Sequence, residues 1–213
     1  MRVLFAVGFA WFSFASPVLA QNSFACDKDQ VAVVQEALSN AKDLTVKAAA
    51  RVGDTPEYRR WFGSYSDANA EVVRATLKAV VGAIRSGGVT IQCNTTAQDG
   101  CRDREYAWDY AHRPFEVYVC PSFFNLPPLT ALNPGERRSD NGTREGTMVH
   151  EISHFLEVAD TWDHCYSRSE CSQMAIDNPG LAIDNADSYQ YFTEDVTYYA
   201  RQPVAGHPAP EQD

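Results

Sequence analysis

His150-Glu151-Ile152-Ser153-His154 lies within a segment, 143–158, whose apolar residues recur with helical spacing. Residues four positions apart lie on one face of an α-helix, so both imidazoles can meet one cation from the same side. Glu151 is rotated by about 100° around the helix from His150, where its carboxylate can act on a water without displacing a ligand. The motif predicts a buried helix that binds zinc and carries a general base.

A zinc site that does hydrolytic chemistry needs a third protein ligand and an open position. The residues alone offer three acids for this role. Asp160 has the metzincin spacing from His154, but that arrangement needs a glycine where Glu157 stands. Glu194 can come from a later helix, as in the thermolysin-like arrangement. Asp163 lies in a loop nine residues past His154 that can fold back beneath the helix. These alternatives stay open at this level.

The first twenty residues predict export. Arg2 precedes an apolar run, 3–15, and small residues follow where a signal peptidase cuts, ending at Ala20. The run is shorter than the roughly 20 apolar residues that a membrane-spanning helix needs. We therefore expect a cleaved signal peptide, 1–20, and a secreted, extracellular or periplasmic protein. An even cysteine count in an exported chain favours three disulfides, formed by Cys26, Cys93, Cys101, Cys120, Cys165 and Cys171.

The remaining patterns predict one α+β domain, 21–201, followed by a disordered tail, 202–213. Helices are expected over 27–52, capped by Asp27, and over 67–85, capped by Asp67, with the aromatic residues of 58–65 as core. Short β-prone runs at 89–93, 105–110 and 115–120 predict a small sheet, and the alternation within 115–119 predicts one solvent-facing side. After a loop, 121–141, helical patterns follow at 143–158, 172–178 and 187–200.

The net charge of −10 argues against nucleic acid as a partner, because binding phosphates needs positive charge. Outside the signal peptide, the sequence has no apolar segment long enough to span a membrane, so no membrane partner is expected. We expect a monomer that acts on protein or peptide substrates.

Several blocks of this sequence resemble the deuterolysin or aspzincin metallopeptidases, which include the fungal peptidyl-Lys endopeptidases. The blocks are 58–65 (YRRWFGSY), 117–120 (VYVC), 146–155 (GTMVHEISHF), 161–166 (TWDHCY) and 185–192 (NADSYQYF). They extend over about residues 26–195. The resemblance implies a zincin-like metallopeptidase domain with a helical N-terminal half, a small twisted sheet and an active-site helix. It also implies one Zn²⁺ per chain.

The resemblance further assigns roles to individual residues. It implies that Asp163 completes the metal site with His150 and His154, and that Tyr166 donates a hydrogen bond to the oxyanion. Asp187 and Gln190 match the two positions that bind the substrate lysine, although lysine-selective members have glutamate where Gln190 stands. Asp160, too, replaces a usual glycine. The implied disulfides are Cys26–Cys93 and Cys101–Cys120, with Cys165–Cys171 as the remaining pair.

We therefore expect a secreted zinc-dependent metalloendopeptidase, with a preference for Lys after the scissile bond as an open hypothesis. The alternative is a secreted, disulfide-bonded zinc-binding protein without peptidase turnover. A binding protein needs neither the base Glu151 nor the phenol of Tyr166, so the presence of both favours the enzyme.

Overall fold

The computed structural model describes residues 23–93, 100–102, 105–131 and 142–198. The predicted signal peptide, 1–20, and tail, 202–213, lie outside these residues, as do positions 132–141 of the predicted loop. Within the described residues, four strands and seven α-helices occur in the order β1 (Ser23–Phe24), α1 (Lys28–Ala49), α2 (Pro56–Phe62), α3 (Asp67–Arg85), β2 (Thr90–Gln92), β3 (Ala107–Asp109), β4 (Glu116–Val119), α4 (Arg144–His154), α5 (Arg168–Asp177), α6 (Pro179–Ile183) and α7 (Ala186–Tyr198).

The two long N-terminal helices form where the apolar spacing predicts them. The Asp27 carboxylate accepts the backbone N–H of Gln30, whose side chain accepts the N–H of Asp27 in return, which makes a capping box at the start of α1. The cap of α3 is Ser66 rather than the predicted Asp67, because the Ser66 hydroxyl accepts the N–H of Asn69. α1 packs against α3, α4 and α7.

The aromatic residues between these helices form part of the core, and most of them belong to a helix that the sequence pattern did not predict. α2 begins with Thr55 as its cap and a proline in its first turn. Tyr58, Trp61 and Phe62 are buried. Their rings pack against aromatic side chains of α7, including Phe192 at 5.2 Å from Phe62 between ring centroids.

The four strands form one small sheet in the order β1-β2-β4-β3. β2 runs parallel to β1 and β4, and β3 runs antiparallel to β4. Three of the strands lie within the predicted β-prone runs, but the two-residue β1 was not predicted. β3 forms one edge of the sheet and packs against α4. The structure thus confirms the α+β class expected for this domain.

The predicted solvent-facing side of β4 is wrong. Val117, Tyr118 and Val119 are all buried. The reason is that the Trp108 ring of β3 stacks on the Tyr118 ring, with centroids 4.0 Å apart, and shields it from water. Alternation along one strand could not reveal this cover, because it comes from the neighbouring strand.

The motif helix, α4, is shorter than predicted. It ends at His154, and Phe155 leaves the helix in an extended conformation, whereas the sequence pattern predicted helix as far as Val158. Phe155 is fully buried and packs edge-on against Phe115, so its apolar character reflects burial after the helix rather than helical continuation. At the other end, the buried carboxylate of Glu145 accepts the N–H of Leu129 and so holds the preceding loop.

Three disulfides brace the described chain: Cys26–Cys93, Cys101–Cys120 and Cys165–Cys171, the same pairs that the resemblance implies.

The C-terminal helices differ from prediction in their bounds, since α5 begins at Arg168, well before position 172, and α6 was not predicted. Among the described helices, none is long and apolar enough to cross a membrane.

Candidate active site

Two imidazoles and one carboxylate converge at the C-terminal end of α4. The Nε2 atoms of His150 and His154 lie 3.1 Å apart. Oδ1 of Asp163 lies 3.2 Å from the first of these atoms and 3.4 Å from the second. These three residues are the group that the described part of the chain offers to a metal ion.

The spacing of these three atoms fits one tetrahedral zinc ion. Ligand atoms that bind a common tetrahedral Zn²⁺ at about 2.0–2.1 Å are separated from each other by about 3.3–3.4 Å. The measured separations of 3.1, 3.2 and 3.4 Å agree closely with that value. Three protein ligands in this geometry leave a fourth position open, as hydrolytic zinc sites require.

The second nitrogen of each histidine is held by a hydrogen-bond acceptor. Nδ1 of His150 lies 2.7 Å from Oδ1 of Asp187, and Nδ1 of His154 lies 2.7 Å from the carbonyl oxygen of Thr161. Both partners only accept hydrogen bonds, so both Nδ1 atoms carry the proton. Nε2 is therefore the nitrogen of each ring that is available to a metal once it has lost its proton.

A tight turn after α4 brings Asp163 beneath the helix. The N–H of Thr161 donates to the carbonyl of Ser153, and their side-chain hydroxyls lie 2.7 Å apart. One residue further on, the backbone of Trp162 forms a β-bridge with Asn185, next to the start of α7. The turn is thus fixed from both the helix end and α7.

The other two candidate ligands lie elsewhere. Glu194 is fully buried near the opposite end of α4, where it accepts from the Thr143 hydroxyl at 2.7 Å and from Arg168 at 2.5 Å. Asp160 lines the same cleft but lies outside the group of converging atoms found among the described residues.

Glu151 lies beside the candidate ligands, with Oε1 3.9 Å from Nε2 of His150. Its side chain is buried. Burial raises the pKa of Glu151 to about 7 in the metal-free protein, although the nearby His150 and His154 oppose the shift. A carboxyl group whose pKa lies near neutral pH is suited to take up and release a proton.

The candidate ligands support each other's charge states. In the metal-free protein, burial by itself would lower the pKa of His150 and His154, but hydrogen bonding to Asp163 and the charges of the other nearby carboxylates together outweigh it and raise both pKa values. Burial would raise the pKa of Asp163, yet the two histidines hold it far below its usual range. Asp163 is therefore ionised, as a metal ligand must be.

Tyr166 lines the cleft three residues beyond Asp163. Partial burial and the charge of Asp163 raise the pKa of Tyr166 well above its usual value, so its hydroxyl remains a hydrogen-bond donor. The segment before it is held by Oδ1 of Asn185, which accepts the N–H groups of His164 and Cys165. The Cys165–Cys171 disulfide adds a covalent brace.

Known proteins share this sequence pattern and fold. The sequence profile of the aspzincin family, described as lysine-specific metallo-endopeptidase, matches residues 47–194. The chain belongs to the aspzincin family. A protein of Aeromonas hydrophila named extracellular protease is 30% identical over 84% of this chain. The Pleurotus ostreatus peptidyl-Lys metalloendopeptidase is 28% identical over 79% of it.

A solved structure titled zinc peptidase from Grifola frondosa superimposes on this aspzincin with a TM-score of 0.67 and 25% identity, covering 81% of this chain and 98% of that one. The chain spans 49% of the length of the Aeromonas protein and 94% of the Pleurotus protein. The resemblance to aspzincins noted from the sequence is thereby confirmed.

Of the two positions at which this aspzincin departs from the family pattern, Asp160 has a local structural explanation, and Gln190 lies in close packing that does not explain its side-chain type. Asp160 has a φ of 51°, in the left-handed region that glycine adopts freely and that aspartate tolerates better than most residues. Gln190 is buried against α4, where a Cβ atom at Gly146 would lie only 2.8 Å from its Cγ. Gly146 therefore permits the close approach of α7 to the motif helix.

The predicted substrate residues differ in their surroundings. Both Asp187 and Gln190 line the cleft and are buried. Besides facing His150, the Asp187 carboxylate accepts the N–H of Ser167 at 3.2 Å. Much of its hydrogen-bonding capacity is thus used within the protein, and Gln190 carries no charge.

The cleft of this aspzincin has a volume of about 1350 Å³ and is strongly acidic. Its described lining contains no lysine or arginine but has six carboxylates, those of Glu105, Asp109, Glu151, Asp160, Asp163 and Asp187. A cleft of this charge attracts cations, including basic segments of a polypeptide.

Sequence reasoning missed two features of the aspzincin site. One is the backbone carbonyl of Thr161, which orients His154 and cannot be identified from residue types in the sequence. Asp109 ends β3 and lines the cleft. Its Oδ2 is buried and has no hydrogen-bond partner among the described residues, and burial raises the pKa of Asp109 to about 6. Only the packing of β3 against α4 brings it there.

Proposed function

We propose that this protein is a secreted zinc-dependent metalloendopeptidase that hydrolyses peptide bonds in proteins, with a preference for lysine after the scissile bond. The observation that carries the proposal is the tetrahedral spacing of the two Nε2 atoms and Oδ1, with the buried carboxylate of Glu151 beside them. In this proposal His150, His154 and Asp163 bind one Zn²⁺ per chain.

A bound Zn²⁺ supplies Lewis acidity, which polarises a peptide carbonyl and makes water a stronger acid. Glu151, whose buried carboxylate lies beside the metal group, takes the proton of the attacking water and delivers it to the leaving amine. Tyr166 donates its hydroxyl proton in a hydrogen bond to the oxyanion of the tetrahedral intermediate. Asp187 and the carbonyl of Thr161 hold the two imidazoles in the orientation that this chemistry needs.

The acidic cleft and the family's description favour substrates with basic side chains. Because Gln190 is neutral and Asp187 already faces His150, we propose that the overall negative charge of the cleft contributes to the preference for lysine. Such long-range attraction weakens as salt increases. Cleavage of matched peptides with Lys, Arg or Ala after the scissile bond, at low and high salt, tests this; equal rates at low salt would exclude it.

Three observations support export: the signal-like N-terminus, the three disulfides, and the Aeromonas relative that is named an extracellular protease. On this proposal the mature protein begins at Gln21 and meets its protein substrates outside the cytoplasm.

The test of the activity combines zinc content with cleavage of a broad peptide library by the purified protein. Glu151→Gln should retain one zinc and lose at least about a hundredfold in kcat, because the proton acceptor is gone. Glu157→Gln, the same change on an exposed residue of the following turn, is the matched control and should behave like the wild type. A fully active Glu151→Gln protein would refute the mechanism. Zinc binding without any cleavage would instead favour a zinc-binding protein.

A further inference from the structure

Large apolar side chains are exposed around the cleft. Eight such side chains are exposed among the described residues, and four of them line the cleft: Tyr110, Leu156, Trp162 and Tyr166. Tyr166 already has a role in the proposed mechanism. The other three have none, and Trp162 and Leu156 are 62% and 55% exposed. Apolar groups gathered at one concave site commonly mark a binding surface.

The exposure of these side chains does not come from a loose backbone. The N–H of Trp162 donates to the carbonyl of Asp184 at 2.8 Å, and its own carbonyl accepts the N–H of Ala186 at 3.0 Å. The N–H of Leu156 donates to the carbonyl of Ala111 at 3.1 Å. Both side chains are therefore presented to solvent from a fixed main chain.

Tyr110 belongs to the same apolar surface. It directly precedes Ala111, whose carbonyl binds Leu156. Its ring packs edge-on against Trp108 at 5.2 Å, and the Arg113 guanidinium lies over it at 4.6 Å from the centroid. A ring held on two sides loses little conformational entropy when a ligand binds to it.

The apolar surface and Gln190 lie at opposite ends of the metal group. Gln190 packs on Gly146, two turns before His154 on α4, whereas Leu156 and Trp162 follow His154. Gly146 and His154 are eight residues apart on the helix, which is about 12 Å. An extended peptide advances about 3.3 Å per residue, so three or four residues reach from one end to the other.

We propose that Trp162, Leu156 and Tyr110 form an apolar subsite that binds a large apolar side chain of the substrate before the scissile bond. The inference rests on the proposed peptidase function, in which Gln190 lies at the end that takes the residue after that bond. The end at Gln190 then binds the basic side chain, which the overall negative charge of the cleft attracts, and the apolar end binds a leucine- or phenylalanine-like side chain. The protein would then prefer substrates that have a large apolar side chain before the scissile bond and a basic side chain after it.

The experiment uses two series of peptides that differ only by Phe or Gly at the residues before the scissile Xaa–Lys bond. For the wild type we expect kcat/KM to be at least about tenfold higher for the Phe series. Trp162→Ala should abolish most of this ratio by lowering kcat/KM for the Phe series towards the value for the Gly series. Trp162→Phe should keep the ratio. Ile176→Ala changes a similarly exposed apolar residue outside the cleft lining and should leave the ratio unchanged.

Because Trp162 is adjacent to the proposed ligand Asp163, zinc content is measured for every variant. Leu156→Ala provides a second test of the subsite that does not change a residue next to Asp163. Binding of both series to zinc-loaded Glu151→Gln, with and without Trp162→Ala, is measured by calorimetry. Preferential binding of the Phe series that depends on Trp162, without cleavage by the wild type, would support the subsite while refuting the peptidase. Cleavage of both series at equal rates, or an equal loss for both in Trp162→Ala, would overturn the subsite.

Discussion

Asp187 provides the sharpest test of how this site works, since it can act on the metal or on the substrate. Its Oδ1 lies 2.7 Å from Nδ1 of His150, and both side chains are largely buried, about 8% and 11% exposed. Asp187→Asn keeps an oxygen that can accept the Nδ1–H but removes the negative charge. Loss of such a partner typically weakens metal affinity by about tenfold to a hundredfold.

The magnitude can be checked against hydrogen-bond energies. A hydrogen bond to a charged group contributes about 1.5–3 kcal/mol, and a neutral one about 0.5–1.5 kcal/mol. The difference of about 1–1.5 kcal/mol corresponds to roughly tenfold in affinity, the lower end of that range. We therefore expect zinc to bind Asp187→Asn about tenfold more weakly than the wild type.

The assay is competition for zinc with a chromogenic chelator, at one pH and salt concentration. Asp184→Asn is the matched control, because it makes the same chemical change on an acid that faces the exposed His164 at 3.2 Å. Unchanged zinc affinity in Asp187→Asn, together with a selective loss of cleavage before lysine, would refute the orienting role. Asp187 would then act on the substrate, as the family pattern implies.

Two further predictions concern the stability of the fold. Arg168 contacts both Glu194 and Asp195 in a largely buried ion network, at 2.5 and 2.9 Å, so Arg168→Ala should lower the free energy of unfolding by about 3 kcal/mol or more. Arg74→Ala, which removes a more exposed ion pair with Glu71, should cost less than about 1 kcal/mol in the same denaturant titration, and equal costs would count against the network. In the metal-free protein, the pKa of Glu151 is raised by burial from 4.5 to about 7, so its contribution to stability is fully present below pH 4.5 and is lost as pH rises through 7. The free energy of unfolding of metal-free Glu151→Gln, relative to that of the wild type, should therefore increase by up to about 3 kcal/mol as the pH rises from 4.5 to 8. A difference between the two proteins that does not change with pH would contradict this.

The parts of the site that follow from local geometry could be predicted from the sequence. The spacing of His150, Glu151 and His154 requires only a helix, and α4 supplies it. Long amphipathic segments likewise predicted α1 and α3 to within a few residues. Short elements with little periodicity, such as α2, α6 and β1, were not predicted, because their stability comes mainly from what packs on them.

The third candidate ligand shows where sequence reasoning needs help. Asp160, Asp163 and Glu194 were all possible from their spacing, and only the family resemblance favoured one of them. In the structure the choice depends on where the chain turns after Phe155 and on the pairing of Glu194 with Arg168. Both are tertiary features without a local pattern. The position of Asp109 and the exposed apolar surface have the same origin.

The short segment 184–187, which leads into α7, has a mechanical consequence for the whole site. The backbone at 184 and 186 holds Trp162 on both sides, next to Asp163, while Asp187 holds His150. A single short segment thus supports one residue from the motif helix and one from the turn beyond it. If this segment shifts, both supports shift with it, so the site gains or loses its shape as a single cooperative unit. Metal retention would then report how firmly the C-terminal helix is docked.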